Sequence, residues 1–559
     1  MTFCPAPADQ VQATNRRDSR RAGWIDLRLL AILLALIILA PVLGLAWNAF
    51  QSSAADAPAL VTTIIPELVG NSVLLAVCVA LGVAVIGTLP AWLVAQFEFP
   101  GRRVLEWLLV LPLAMPAYVM AYAYADFFQY AGPFQSTLRE WFGWQVRSDY
   151  WFPDIRTLGG AAGILILALY PYVYVLARVS FLEQPAALME AGRIAGLGRL
   201  AVLWRVAIPV ARPAIVAGAA LAVMEALADF GTVSYFGVMT LTTGIFKAWF
   251  GQGNLPLAAQ LGLALLAAAV ICLLIEQASR SRAKYHQGLS KAHPRATIHS
   301  RKRWVALALC ALPCAMGFLV PVLLLLRLAL RAQVQPDLAF LSLSIHSFLL
   351  ALAAAMLTVF CATLMAYAAR KGSAPLRWLN RTCGTGYAIP GLVLAVGITL
   401  PALLLDRALV NLLEAWTGHA WPLMLSGGVA LLVYAYLVRF LGVGLQSVES
   451  GLAKITPGIE DAARSLGATG GETLRRVHLP MLRGTLAMAT LLVFVDVLKE
   501  LPATFVLRPF NFDTLAVRVY TLAMDERLGE AAAPALLIVL VAAIPVYITS
   551  RAMVRRLHG

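Results

Sequence analysis

Two pairs of acids lie four residues apart inside apolar sequence: Glu225 with Asp229, and Asp496 with Glu500. On one helix that spacing turns both carboxylates to the same face. Ionisable groups within a membrane are costly and require a role. One role is a symmetric acidic lining along the route of a cation. The other is a hydrogen-bond network inside a helix bundle, with Lys499 neutralising one acid. The residues alone leave both open. Asp126, Tyr118, Tyr122 and Tyr124 could likewise line an outer vestibule. Tyrosines near a membrane surface, here also Tyr170, Tyr172 and Tyr174, are commonly anchors. Other chemistry is missing from the sequence. There is no G-x-x-x-x-G-K-[ST] loop to cradle phosphate and no H-E-x-x-H. The histidines are scattered without metal spacing. Cys310 and Cys314 stand one turn apart, where small packing residues are expected rather than a metal pair. No catalytic set, cofactor site or metal site is assigned, and no enzyme is expected.

These groups need a scaffold that holds them in an apolar medium. The chain has 559 residues, 60% hydrophobic and 13% charged, and its mean hydropathy is +0.79. A soluble protein carries roughly 25% charged residues. The composition therefore predicts a polytopic membrane protein and excludes an ordinary soluble enzyme, a disordered scaffold and a fibre. A net charge of +15 would suggest nucleic acid for a soluble domain. In a membrane protein, Lys and Arg collect in cytoplasmic loops, so no nucleic-acid partner is expected.

A membrane helix takes about 20 apolar residues. Runs near 27–47, 73–95, 104–125, 160–179, 214–233 and 257–275 predict six spans. Runs near 304–326, 347–369, 387–405, 422–439, 486–505 and 531–548 predict six more. Arg16, Arg17, Arg20 and Arg21 precede the first run, which is too long for a signal peptide. A retained helix with its N-terminus inside is expected. Residues 277–303 form a basic linker, and no acid occurs between Glu276 and Asp337. Such a linker belongs in the cytoplasm. The expected organisation is a tail 1–24, a repeat 25–276, the linker 277–303, a repeat 304–550 and a cytoplasmic tail 551–559. Arg327 and Arg331 fall on the outer side of this scheme and fit it poorly.

The two halves resemble each other. Glu190-Ala191-Gly192 and Gly196 match Asp461-Ala462-Ala463 and Gly467 at a constant offset of 271 residues. Pro209 and Pro480, Glu225 and Asp496, and Asp229 and Glu500 keep that offset. So do Thr243 with Thr514 and Lys247 with Arg518. Met115-Pro116 answers Ile389-Pro390 at an offset of 274. The fold class is therefore all-α, with about twelve membrane helices in two homologous six-helix halves. Each half holds a long cytoplasmic loop, 182–212 and 448–483. Pro185 and Pro457 suit a first helical turn. The glycines supply a turn, and a second helix is expected to run to Pro209 or Pro480. Helix, glycine turn, helix makes a small knob suited to docking a soluble partner by helix-in-groove packing.

The paired loops resemble the EAA motif of permease subunits of bacterial ABC importers. Gly192 departs from the pattern, and Asp461 replaces Glu. The stretches 225–237 and 499–518 look like the fused permeases of ferric iron importers. Permeases for thiamine, polyamines and phosphonates share parts of them. The resemblance implies two ABC ATPase subunits on the cytoplasmic face, a periplasmic binding protein and a bilayer, the bacterial inner membrane. It implies ATP hydrolysis in the partners, and substrate passage from the binding protein to the cytoplasm. Ferric ion favours hard oxygen donors, which the acids and tyrosines offer without identifying it. Lys247, Trp249, Arg518 and Tyr520 are the candidates for docking the binding protein. A secondary transporter also has two parallel repeats. It would carry a long middle loop rather than structured loops between the fourth and fifth spans of each half. An integral-membrane enzyme would need a clustered catalytic set, and none is visible.

Overall fold

The computed structural model describes residues 8–51, 58–184, 194–282, 296–298, 301–332, 338–370 and 374–558. In hydrocarbon a backbone must satisfy its own hydrogen bonds, and a helix does so within one segment. Among the described residues, eleven helices are long and apolar enough to cross a membrane. They are Arg28–Phe50, Ile64–Gln96, Leu158–Glu183, Leu203–Ala228, Leu255–Ser279, Lys302–Ala332, Leu338–Arg370, Gly391–Thr417, Val429–Leu452, Gly471–Leu498 and Leu528–Arg551. A bent pair, Arg102–Ala114 with Ala117–Phe142, turns through 92° and makes a twelfth when it is counted as one span.

The straight span expected at 104–125 is thus broken. The cause is Pro116, which pushes its predecessor out of the helical region. Met115 is extended at φ −92° and ψ 112°. Ile389, before Pro390, does the same at φ −77° and ψ 117°. The repeat therefore reproduces a break as well as a sequence.

Packing divides the chain into two units that do not follow the sequence halves. One comprises Met1–Gly44, Phe348–Ile389 and Gly397–Leu498. The other comprises Leu45–Ser347, Pro390–Val396 and Lys499–Gly559. Each unit draws helices from both repeats. In the first, Val429–Leu452 packs along Leu479–Leu498. There the Tyr434 hydroxyl donates to Ile37 O at 2.5 Å, fastening the first helix. In the second, Leu158–Glu183 and Ile208–Ala228 pack on Pro58–Gln96 and on each other.

The second unit also holds a buried ion network. Arg102 bonds Glu98 at 2.9 Å and Glu106 at 3.2 Å, and Glu106 bonds Arg178 as well. The Tyr174 hydroxyl donates to Glu106 O at 3.0 Å. Tyr170 and Tyr174 are fully buried, so neither is a surface anchor. Phe97–Glu98 pairs in parallel with Ala296–Thr297, which ties the described end of the basic linker to this network. Arg327 and Arg331 lie within electrostatic reach of Asp126, which gives these two misfits a local counter-charge.

Candidate functional site

The second knob forms as expected around its glycine. Pro457 opens the helix Pro457–Ser465. Asp461 and Ala462 are exposed, and Ala463 is buried. Gly467 takes φ +85° and Gly196 takes φ +79°. An added Cβ would meet nothing within 4 Å at either position. The left-handed backbone alone calls for glycine here. Glu190, Ala191, Gly192 and Pro185 lie outside the described residues. Beside the glycines, Ile194 and Leu466 are 88% and 90% exposed. Each glycine turn thus carries an exposed apolar side chain.

Pro209 and Pro480 do not end the helices that approach them. In both repeats the chain passes through a π turn, Leu203–Ala207 and Leu474–His478, into the next span. Ile208 N–H reaches Leu203 O and Leu479 N–H reaches Leu474 O, each five residues back. The wider turn leads into a span whose first turn holds the proline, where its missing N–H matters least. Knob and span are therefore one continuous helix. π turns of this kind often mark functional sites.

What pins the second knob was not read from the sequence. Arg370 Nε donates to Glu460 Oε1 at 2.7 Å, and its Nη2 to Ile455 O at 2.7 Å. Its Nη1 bonds Leu452 O. Buried His478 lies 3.6 Å from the same Glu460 oxygen. Arg370 ends the helix Leu338–Arg370, so knob and span are clamped together. In the first repeat, Gln96 donates to Phe181 O at 3.0 Å and Gln184 to Ala207 O at 2.9 Å. Gln96 and Phe181 are the repeat equivalents of Arg370 and Leu452 at offsets of 274 and 271. A capping box starts the second knob's return helix: Thr469 N donates to Glu472 at 2.9 Å and Glu472 N to Thr469 Oγ1 at 3.3 Å. Its T-x-x-E signature stands in the sequence.

The paired acids are not arranged as expected. The helix Ile208–Ala228 stops before Asp229, whose ψ is 132°. Glu225 and Asp229 therefore do not share one helix face. Asp229 instead caps the short helix Gly231–Tyr235, accepting from Thr232 N at 2.9 Å, Val233 N at 3.2 Å and Thr232 Oγ1 at 3.1 Å. Asp496 lies within Leu479–Leu498 and Glu500 lies beyond its end. Glu500 caps Pro502–Leu507, accepting from Ala503 N at 3.0 Å, Thr504 N at 2.9 Å and Thr504 Oγ1 at 2.6 Å. The network reading suits these two acids better than a bare acidic lining.

The repeat register also shifts beyond the breaks. Leu241 N donates to Ser72 Oγ at 2.9 Å, and Leu515 N to Ser347 Oγ at 2.9 Å. Thr240 and Thr514 are the N-caps of Leu241–Phe246 and Leu515–Met524. Thr240, not Thr243, is thus the partner of Thr514, and Lys247 is not the counterpart of Arg518. The second repeat has three extra residues in this loop.

With this geometry in place, sequence comparison decides the family. The family described as binding-protein-dependent transport system inner membrane component matches residues 83–285 and 358–559. The chain belongs to this family. It is a fused permease of an ABC importer, with one copy of the family domain in each half, and a multi-pass inner-membrane protein. It is 26% identical over 493 residues to the Fe(3+)-transport system permease protein FbpB 2 of Haemophilus influenzae, covering 87% of this chain and 90% of that one. It is 30% identical over 190 residues to the putative 2-aminoethylphosphonate transport system permease protein PhnV of Salmonella typhimurium, covering 34% of this chain and 65% of that one. Over 152 residues it is 29% identical to the ferric transport system permease protein FbpB of Actinobacillus pleuropneumoniae, covering 26% and 21% of the two chains. A permease of this family is a transport subunit that works with a substrate-binding protein and ATPase partners.

Of the docking candidates, Lys247 and Arg518 are exposed and Trp249 is half-buried. Tyr520 is buried, and its hydroxyl lies 3.0 Å from Ser234 Oγ, so it faces the bundle and not a partner. A further surface went unread: an aromatic cap between Phe128 and Leu158. Its Trp141 and Trp151 are 77% and 86% exposed. A cavity of about 380 Å³ there is lined by Gln129, Tyr150, Asp154, Arg147 and Arg156 among others. Asp149 steadies the cap by accepting from Gln145 N at 2.7 Å and Val146 N at 3.0 Å, which holds its carboxyl below the usual range.

The cap geometry makes a discriminating prediction for Asp229. Asp229→Asn keeps an acceptor oxygen for the two N–H groups and should retain near-wild-type transport. Asp229→Ala should cost about 1 kcal/mol of local stability and lower transport. Uptake assays on the two variants check this. Equal loss in both would return Asp229 to the role of a charge in the pathway.

Proposed function

We propose that the permease carries ferric iron from its periplasmic binding protein to the cytoplasm. The observation that carries this is the match to a ferric permease over 87% of the chain, through both repeats. The phosphonate permease supports a second reading, but its match spans 34% of the chain. Two ATPase subunits would hydrolyse the ATP, one seated on each knob, 182–212 and 448–483. The exposed tips Ile194 and Leu466 support this, since apolar side chains on a short helix suit a groove in a partner. A continuous helix from knob to span would pass ATPase closure on to the bundle. Both termini and the linker 277–303 would lie in the cytoplasm, as their arginines and lysines favour. Lys247, Trp249 and Arg518 would meet the binding protein, and we add Trp141 and Trp151 of the aromatic cap.

Radioiron uptake in a deletion strain tests the substrate. Uptake should be lost on deletion, return with the gene on a plasmid and resist competition by excess aminoethylphosphonate. Normal uptake in the deletion strain would overturn the reading.

A further inference from the structure

The helix Ala117–Phe128 carries Tyr118 and Tyr122 one turn apart. Their rings lie 5.8 Å apart, and Tyr122 meets Tyr235 edge-on at 4.5 Å. Both are deeply buried, 5% and 2% exposed. Neither hydroxyl has a hydrogen-bond partner among the described residues. Neighbouring phenols are satisfied. Tyr124 donates to Met316 O at 2.5 Å, Tyr520 pairs with Ser234 at 3.0 Å, and Tyr235 receives Arg156 at 3.5 Å. Burying a hydroxyl without a partner costs free energy, and phenylalanine would fill the same space without that cost. Two such groups side by side call for an explanation beyond packing.

Their position supplies one. A Cβ on Gly231 would fall 2.7 Å from Tyr118 Cβ and 2.8 Å from Leu501 Cδ2. Tyr118 therefore touches the place where the broken helices of the two repeats meet. The acids there, Asp229 and Glu500, already spend their oxygens on caps. Beside them, among the described residues, stand two buried phenol oxygens without a hydrogen-bond partner, Tyr118 and Tyr122.

We propose that Tyr118 and Tyr122 form a transient way station for a hard trivalent metal cation. This rests on the ferric reading above and deepens it. Phenol oxygen is a hard donor suited to such an ion. As each O–Fe bond forms, a water or chelator carboxylate leaves the iron and the phenol proton passes to water. The iron stays in the ferric state throughout. Empty, the station carries no charge, so it escapes the cost of a buried carboxylate. Occupied, the phenolates offset part of the cation's charge. Two donors make a weak site, which suits a step that must release its cargo.

The test uses the assembled transporter in nanodiscs with ferric nitrilotriacetate as probe. The wild type should develop a visible phenolate-to-iron charge-transfer band, and the double variant Tyr118→Phe/Tyr122→Phe should lack it. In proteoliposomes the double variant should lose iron uptake by about tenfold while keeping the ATP hydrolysis stimulated by the binding protein. It should also be no less thermally stable than wild type, since it removes two unpaired hydroxyls. No band in the wild type, or a band and uptake unchanged in the double variant, overturns the way station. A wild type that transports no iron overturns the substrate reading instead.

Discussion

Glu106→Leu should destabilise the protein by about 3–5 kcal/mol, the usual cost of breaking a buried ion pair by removing one partner. Glu106 holds both Arg102 and Arg178, and the three side chains are 1%, 2% and 6% exposed. Without the carboxylate, two guanidiniums would face each other in an apolar setting. Arg102 would keep Glu98, which is 40% exposed, but Arg178 would lose its ion pair with Glu106. Glu106→Gln should fall between, because one acceptor oxygen remains. The bond from Tyr174 goes to the Glu106 backbone and survives in both variants. Thermal unfolding in detergent, with the yield of monodisperse protein, measures the effect. A leucine variant that melts with the wild type would show that the network contributes little. The consequence is more than local. Arg178 sits on Leu158–Glu183, the helix that leads toward the loop 182–212, so losing the network should also loosen the end of that helix.

The spans were legible because a membrane helix announces itself by composition over about 20 residues. The breaks were less so. Pro116 and Pro390 were visible as a matching pair, yet hydropathy runs through them without interruption, and the conformation of Met115 and Ile389 is a local effect of proline. The same blindness put Asp229 and Glu500 on continuous helices. Spacing cannot tell a helical face from a helix end followed by a cap. The shift from Thr243 to Thr240 had a similar origin, since a constant offset hides a three-residue insertion. Thr469-Gly-Gly-Glu472 could have been read as a capping box. Arg370 could not, because its partners lie 82 to 90 residues away. The exchange of helices between packing units also left no trace. A helix apolar on nearly every side does not declare which neighbour it prefers.

The knob glycines carry the largest functional prediction. At φ +79° and +85°, Gly196 and Gly467 occupy a region closed to proline, whose ring holds φ near −65°. The double variant Gly196→Pro/Gly467→Pro should fail to assemble with the ATPases and lose transport, while the spans still insert. Copurification of the ATPase and uptake check this together, and full assembly with full uptake would sink the knob reading. Alanine separates shape from crowding. Space is open at both positions, so alanine pays only the left-handed backbone cost of about 1–2 kcal/mol. Whether the knob yields should then depend on what else holds it. In the second repeat, Arg370 clamps Glu460 and the carbonyls of Leu452 and Ile455, and the capping box fixes the return helix. That knob should tolerate Gly467→Ala with a modest loss of transport. Adding Arg370→Ala should then collapse it, because Glu460 would lose its arginine partner just as the turn is strained. A double variant no worse than the sum of its parts would mean that clamp and turn act independently, and that the knob does not move as one rigid body.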